Sequence, residues 1–447
     1  MGTKTRKQTA LLTKEQVDAY LASKSAIRPS EKSEAGEVFT PVSVIDRMLA
    51  MLPKAVWSNP DLTWCDPACG YGQFPLKLLV GGPGYEGLLL GLADAFPNKH
   101  ARLTHIFTTM LFSYDINPEH VASLTTQIRK MGVGKPNVHA ADFLELSADK
   151  PYDIIVGNPP YNQGGIKRVG EKRLHVRFTE VALQRLGPKG LLLFVCPPNY
   201  REAGSTMNRL FLSAGNTVGG FRQIQMLDPN ETHRLFRIQA RVDLFLYDKH
   251  AKTKTTLVTD EKGIKSVQTL DLTQHVPNYG HSVFEKLRRR GSARIQGVRS
   301  AEASTVDCVG SGLGKGPHKT LHLIVEGGRK IMVRSRPHTH QRTPKLILNG
   351  LGVPYVFYDK EGRYGATQVP VLILHPSKAL VAFTKTHLFY YILGALKITG
   401  NNNLPYMLAD IPKGFGADIA FTEEELGKIA SVRIPVFEDK DIKTLCL

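Results

Sequence analysis

Metal-ligating and disulfide-forming residues are scarce in this sequence: its 447 residues include five cysteines, at positions 65, 69, 196, 308 and 446. The number is odd, the spacing is scattered, and Cys65 and Cys69 have no second Cys or His pair to complete a zinc set. Free thiols and no bound metal are expected, since His338-Thr339-His340 is too small a cluster to change that. Long hydrophobic runs are missing as well. The apolar stretches 87–92 and 191–196 fall far short of the roughly 20 residues that a bilayer demands. Residues 1–14 are polar and basic, without the apolar centre of a secretory signal. A cytoplasmic protein with no membrane partner is expected. Acidic residues are also in short supply: 40 Asp and Glu face 58 Lys and Arg, for a net charge of +18. Most of that excess falls in the second half of the chain, before residue 345. A basic half joined to a more nearly balanced half fits a polyanion-binding module attached to an enzyme.

Against these shortages, one stretch is rich in function. Asp153-Ile154-Ile155-Val156-Gly157-Asn158-Pro159-Pro160-Tyr161-Asn162 begins as a β-branched, apolar run that reads as a buried parallel strand. Gly157 ends it, and Asn158 projects from the carboxyl end, where open α/β sheets place their ligands. Each of the two prolines fixes φ and lacks an N–H, which stiffens the carbonyls around them. The stretch offers an amide side chain, a rigid carbonyl (Pro159) and an aromatic face (Tyr161) within four residues. That set suits a planar exocyclic amine: Asn158 Oδ1 and the Pro159 carbonyl each accept one N–H, and Tyr161 stacks on the ring.

The surrounding chain supplies a sheet for this strand. Residues 12–21 carry a short helical pattern within an otherwise polar, lysine-rich start, expected to be a loosely held arm. In Gly36-Glu37-Val38-Phe39-Thr40-Pro41, Thr40 is suited to cap a helix that Pro41 begins. A strand at 62–65 leads into Asp66-Pro67-Ala68-Cys69-Gly70-Tyr71-Gly72, where the glycines allow a sharp turn and close approach to a ligand. Pro75 stands where a dinucleotide fingerprint would want its third glycine, so a nicotinamide enzyme is disfavoured. Further strands are expected at 109–114 (followed by Asp115-Ile116), 138–141 (followed by Asp142-Phe143), 190–196, 221–227 and 240–247. Seven strands with intervening helices make a doubly wound α/β domain. A mobile loop is expected at 163–173. After a polar boundary near 252/253, short apolar segments at 321–325, 345–348, 353–358 and 369–374 point to an irregular α+β domain. Arg288, Arg289, Arg290, Arg334, Arg336, Arg342 and Lys345 are its candidate phosphate-contacting residues.

Taken in order, the 36–41, 66–72, Asp115, Asp142-Phe143 and 158–161 segments resemble motifs X, I, II, III and IV of S-adenosylmethionine-dependent amino-DNA methyltransferases. The order, with motif X first and the basic domain last, resembles the gamma group of N6-adenine enzymes from restriction–modification systems. The likeness covers roughly 35–250 and continues more loosely to the C-terminus. It departs from the pattern at Tyr71, where the group carries a small hydroxyl residue, and in the long spacing from Gly72 to Asp115, which reads as a helical insertion.

The resemblance implies a Rossmann-like methyltransferase sheet in 35–252, preceded by an arm (1–34) and followed by a DNA target-recognition domain (253–447). It implies S-adenosylmethionine as cofactor, held by Phe39, Thr40, Asp66, Pro67, Ala68, Gly70, Gly72, Asp115, Ile116, Asp142 and Phe143. Asp115 would take the ribose hydroxyls, and Asp142 the adenine amine with Phe143 beside the ring. Asn158, Pro159, Pro160 and Tyr161 would be catalytic, acting on an adenine flipped out of double-stranded DNA and clamped between Tyr161 and Phe236. Transfer would be direct, because the Pro-Cys order of a cytosine-C5 nucleophile does not occur here. A monomer is expected, with any cognate restriction endonuclease on a separate chain. Three alternatives remain open. An N4-cytosine enzyme mostly begins the motif with Ser. A glutamine-N5 protein methyltransferase shares Asn-Pro-Pro-Tyr but needs no basic half. A DNA-binding specificity subunit with an inactive fold would not need the intact Asp66, Asp115 and Asn158.

Overall fold

The computed structural model describes residues 13–25, 39–147, 151–161, 173–215, 220–251, 255–299, 316–334, 337–349, 352–367, 369–398, 408 and 411–443. The chain divides into two compact units, Met1–Gln274 and His275–Leu447. In the first, β1 (Trp64–Asp66), β2 (Leu111–Asp115), β3 (Val138–Ala140), β4 (Tyr152–Gly157) and β5 (Leu186–Cys196) run parallel in the order β3-β2-β1-β4-β5. The apolar runs that define these strands are buried on both faces, as parallel sheets between helices require: Ile154, Ile155 and Val156 are each at most 1 % exposed. β6 (Gly220–Leu227) and β7 (Val242–Asp248) follow, with β7 antiparallel between β5 and β6.

The sheet does not stop at the seven expected strands. β8 (Thr255–Thr259) pairs parallel with β6, and β9 (Lys265–Thr269) forms a hairpin with β8, making nine. The unit boundary therefore falls after Gln274 rather than at 252/253. The polar, alternating 255–269 segment reads as a linker, but it is a sheet edge whose alternate residues, such as Val258 and Gln268, turn inward.

Helix α1 (Lys14–Ser25) also departs from expectation. Far from being loosely held, it seats Val17 and Leu21 at 0 % exposure and extends Asp18 to Lys77 (3.1 Å). Lys77 is fully buried on α3 (Gln73–Val80) and is paired a second time, to Asp46 on α2 (Val42–Leu49) at 3.0 Å. The long Gly72-to-Asp115 spacing holds helical segments, as expected: Leu88–Gly91, α4 (Lys99–His105), and the π-helical turn Ile106–Met110 that runs into β2. The helices α5 (Pro118–Lys130), α6 (Leu174–Arg185), α7 (Thr206–Gly215) and α8 (Pro229–Phe236) complete the connections of this unit.

Among the described residues, the second unit begins with the helix His281–Arg289 and holds two four-stranded sheets. One comprises β10 (Val298–Arg299), β13 (Lys345–Leu348), β14 (Val356–Asp359) and β16 (Val371–Leu374); the other comprises β11 (His318–Val325), β12 (Gly328–Arg334), β15 (Tyr364–Ala366) and β17 (Asp441–Lys443). Val283, Phe284 and Leu287 of its first helix pack with Leu346, Leu348 and the helix His387–Leu396 in one core, and Leu321, Ile331, Ile347 and Tyr364 anchor a second.

Candidate active site

The candidate site lies along the carboxyl ends of β1, β2 and β4. At the tip of β1, Asp66 is fully buried. Its Oδ1 accepts the Ala68 N–H at 3.2 Å, while Oδ2, also buried, has no hydrogen-bond partner among the described residues. Burial, which penalises the charged form, pushes the Asp66 carboxyl well above the usual carboxylate range. A buried carboxylate oxygen without a donor is costly unless a ligand supplies one. The turn after it is shaped for close approach. Gly70 and Gly72 both have positive φ (51° and 91°), and a Cβ on Gly72 would stand 2.4 Å from Leu124 Cδ1 on α5. The Cys69 N–H donates to the Tyr114 carbonyl (2.9 Å) and the Gly70 N–H to Asp115 Oδ2 (2.8 Å), so the tip of β2 fixes the turn.

Asp115 is itself held in place, accepting the Asn117 N–H at 2.8 Å, with His120 Nδ1 3.3 Å away. Beside it, Ile116 is 74 % exposed, an apolar side chain left in solvent at the rim of the turn. Tyr71, the departure from the family pattern, lies with its ring 4.4 Å from that of His120, and Lys24 of α1 sits 4.7 Å over its face. The Tyr71 carbonyl accepts from Tyr20 OH at 3.3 Å, so α1 bears directly on the glycine turn. Asp142 is exposed and accepts the Leu144 N–H (2.9 Å). Phe143 is 1 % exposed, stacked against Phe178 and beneath the Arg185 guanidinium.

β4 brings the Asn-Pro-Pro-Tyr turn against Asp66. Gly157 is closely approached here: a Cβ would lie 3.1 Å from Asp66 Oδ1 and 3.3 Å from Pro67 Cδ. Asn158 donates its Nδ2 to Thr40 Oγ1 at 3.0 Å. This corrects the expected role of Thr40, because the N-cap of α2 is Pro41, with no side-chain cap. The Thr40 hydroxyl, on a residue only 3 % exposed, is directed at the Asn158 amide instead. Residues 36–38 lie outside the described residues. Tyr161 is 8 % exposed and its OH is buried, with no partner among the described residues. Motif reading misses His175, a neighbour of this turn, and Asn199 on its far side, which lack any patterned signal in the sequence.

The expected aromatic wall is less open. Phe236, the last residue of α8, is 3 % exposed in this structure. Tyr200, another aromatic of this unit, is fully buried, donating to Asp243 (2.6 Å) beside the buried Arg201–Asp243 ion pair. Among the basic residues of the second unit, Lys345 also changes role. It is wholly buried, bonded to Asp359 (2.9 Å) and to the carbonyls of His340 and Thr343, so it cannot meet a phosphate. Arg289, Arg290 and Arg342 are exposed and Arg288 half-buried; Arg336 and the Arg334 side chain lie outside the described residues. No group of three or more metal-ligating side chains occurs among the described residues, and no described helix is long and apolar enough to cross a membrane.

Comparison with known proteins gives the same direction. Residues 101–219 match the family model "Methyltransferase small domain". An uncharacterized adenine-specific methylase of Mycoplasma pneumoniae is 42 % identical, over 36 % of this chain and 54 % of that protein. The type II methyltransferase M.VspI of a Vibrio species is 24 % identical, over 31 % and 28 %. The chain thus spans about half or less of the length of these curated relatives. Among solved structures, the type IIL restriction-modification enzyme MmeI in complex with DNA aligns over 88 % of this chain and 70 % of its own, with a TM-score of 0.54 at 9 % identity. A nuclease-deletion mutant of the type ISP restriction-modification enzyme LlaGI aligns over 80 % and 44 %, with a TM-score of 0.51 at 12 % identity. The fold is a methyltransferase-like α/β fold with a large mixed sheet. The chain resembles S-adenosylmethionine-dependent adenine DNA methyltransferases of the restriction–modification type, as its motifs do.

Proposed function

We propose that this protein transfers a methyl group from S-adenosylmethionine to the N6 amine of adenine in a specific DNA sequence, with the base flipped out of the duplex. The observation that carries the reading is the placement of the Asn158 amide, tied to Thr40 beside the glycine turn and the buried Asp66. The residues present fit the cofactor. Asp66 has a buried oxygen awaiting a donor, the two positive-φ glycines leave a cradle without side chains, and Ile116 offers an exposed apolar face. When bound there, S-adenosylmethionine supplies an electrophilic methyl on its sulfonium. Phe39, Thr40, Asp66, Pro67, Ala68, Gly70 and Gly72 would hold its amino-acid end, with Asp115, Ile116, Asp142 and Phe143 on the nucleoside.

The chain's own work is positioning and charge stabilisation. An adenine N6 lone pair is delocalised into the ring and attacks poorly. Asn158 Oδ1 and the Pro159 carbonyl accept its two N–H groups and favour the tetrahedral, positively charged nitrogen of the transition state. Pro160 stiffens the turn, and Tyr161 and Phe236 receive the base, each stacking contact being worth about 1–3 kcal/mol. Because both rings are largely buried in this structure, they must open to do so. The second unit is the target-recognition domain, with Arg288, Arg289, Arg290, Arg334, Arg336 and Arg342 toward the phosphates. The protein acts as a monomer in the cytoplasm, with any endonuclease partner separate. Incubation with radiolabelled S-adenosylmethionine and unmethylated DNA tests the reading. Label is expected in DNA and lost with Asn158→Ala; label in protein only, or none, would overturn it.

A further inference from the structure

His175 belongs to none of the motifs, yet it is seated against the end of the Asn-Pro-Pro-Tyr turn. It is the second residue of α6 and is 1 % exposed. Its Nδ1 lies 3.3 Å from the Tyr161 carbonyl oxygen and its Nε2 3.0 Å from Asn199 Oδ1. The imidazole meets the Tyr161 ring edge-on, with centroids 6.0 Å apart and planes at 77°. Asn199 is anchored in turn: it follows β5 across Pro197-Pro198, is 7 % exposed, and its carbonyl accepts Ser205 Oγ at 2.5 Å. One ring therefore spans the segments that leave two neighbouring parallel strands, β4 and β5, beyond the end of their backbone ladder.

The ring's protonation follows from its surroundings. Burial pushes its pKa down to about 4, with the charge of Arg173 acting in the same direction. A neutral imidazole has one N–H. The Tyr161 carbonyl can only accept, so the proton sits on Nδ1. Nε2 must then accept, which calls for the Asn199 amide with its Oδ1 and Nδ2 exchanged, so that Nδ2 donates to the ring. Both bonds are satisfied in that tautomer alone.

We propose that His175 is a positioning residue for methyl transfer: by donating Nδ1–H to the Tyr161 carbonyl while resting on Asn199, it fixes the turn that carries Asn158, Pro159 and Tyr161. This rests on the reading of that turn as the acceptor for the target amine. Positioning of this kind matters because a misplacement of about 1 Å costs on the order of a hundredfold in rate.

Three variants test it. His175→Asn places an amide nitrogen close to where Nδ1 was, His175→Gln places one close to where Nε2 was, and His175→Phe keeps the ring without either bond. Methyl transfer at saturating cofactor, cofactor affinity by calorimetry, thermal midpoint, and amide hydrogen exchange of residues 154–161 are measured for each. The Gln and Phe variants should lose about tenfold or more in kcat, with cofactor affinity within about twofold. Their 154–161 segment should exchange faster while residues 64–72 stay unchanged, and the Asn variant should recover most of both. Equal losses in the Asn and Gln variants that track their thermal midpoints, or unaltered exchange at 154–161, would overturn the proposal. If the wild-type protein transfers no methyl to DNA, the functional reading fails and exchange alone decides. Faster exchange in Gln than in Asn then upholds the tie to Tyr161, and equal exchange overturns it.

Discussion

Replacing Thr40 by Val separates two roles for that residue. Valine keeps the branched shape at a site 3 % exposed and removes only the hydroxyl that receives Asn158 Nδ2 at 3.0 Å. A hydrogen bond of this kind contributes a net of about 0.5–1.5 kcal/mol. In the orientation observed, with the N–H2 held by Thr40, Oδ1 is the end that the proposed reading turns toward the target amine. Without that bond, the Asn158 amide loses one of the contacts that hold it, and its carboxamide is less well placed for the proposed acceptor role. At about 1.4 kcal/mol per tenfold, loss of the whole bond from the transition state corresponds to roughly a two- to thirteenfold lower kcat. The assay is single-turnover methyl transfer at saturating S-adenosylmethionine, with cofactor affinity measured separately by calorimetry. Thr40→Val should slow transfer with cofactor affinity within about twofold, and Thr40→Ser should restore it. If Thr40→Val instead weakens cofactor binding and leaves saturated turnover unchanged, the hydroxyl serves the cofactor and the reasoning from Asn158 is wrong.

Other expectations follow from the same geometry. Asn158→Ala should abolish transfer while cofactor binding, which the proposed function assigns to the β1 and β2 tips, stays nearly intact by calorimetry. Reversing the charges of the exposed Arg289 and Arg290 should flatten the log–log dependence of DNA affinity on salt by about one unit per lost phosphate contact. Lys345→Met should leave that slope unchanged and lower stability by up to about 3–5 kcal/mol in denaturant titration, since it removes the countercharge of the buried Asp359 and leaves it the N–H groups of Arg363 and Tyr364. Stability should also fall at mildly acid pH. His175 and His275 are buried with pKa values of about 4, burial being the main cause, against about 6.5 when unfolded. The unfolded chain therefore binds more protons between those values. The stability these groups contribute is present in full above about pH 6.5 and is lost as pH falls toward 4, at up to about 1.4 kcal/mol per pH unit for each histidine. His175→Asn should remove one histidine's share of that slope.

Much of the first unit was legible in the sequence because buried parallel strands announce themselves. Runs such as Ile154-Ile155-Val156 are apolar on both faces and end at glycine or an acid, so β1 to β7 fell close to where periodicity placed them. β8 and β9 did not, because an edge hairpin buries only alternate residues and its threonines and lysines read as linker. Lys345 read as a phosphate contact because a charge beside a loop is ordinarily solvated. Its register partner across β13 and β14 is Asp359, a pairing that only the fold reveals. Thr40 has the composition of a helix cap, and local sequence cannot show that a residue 118 positions later takes its hydroxyl. His175 is the same case: a lone histidine near a polar stretch gains its meaning from Tyr161 and Asn199, brought to it by two strands.

The central claim is most directly tested by nucleoside analysis. Unmethylated DNA is incubated with the purified protein and S-adenosylmethionine, digested to nucleosides and resolved by mass spectrometry, with Asn158→Ala as control. N6-methyladenine should rise to a plateau set by the number of recognition sites and be absent from the control. N4-methylcytosine as the product would reassign the target base, and no methylated base in DNA would contradict the account of this site as an adenine methyltransferase.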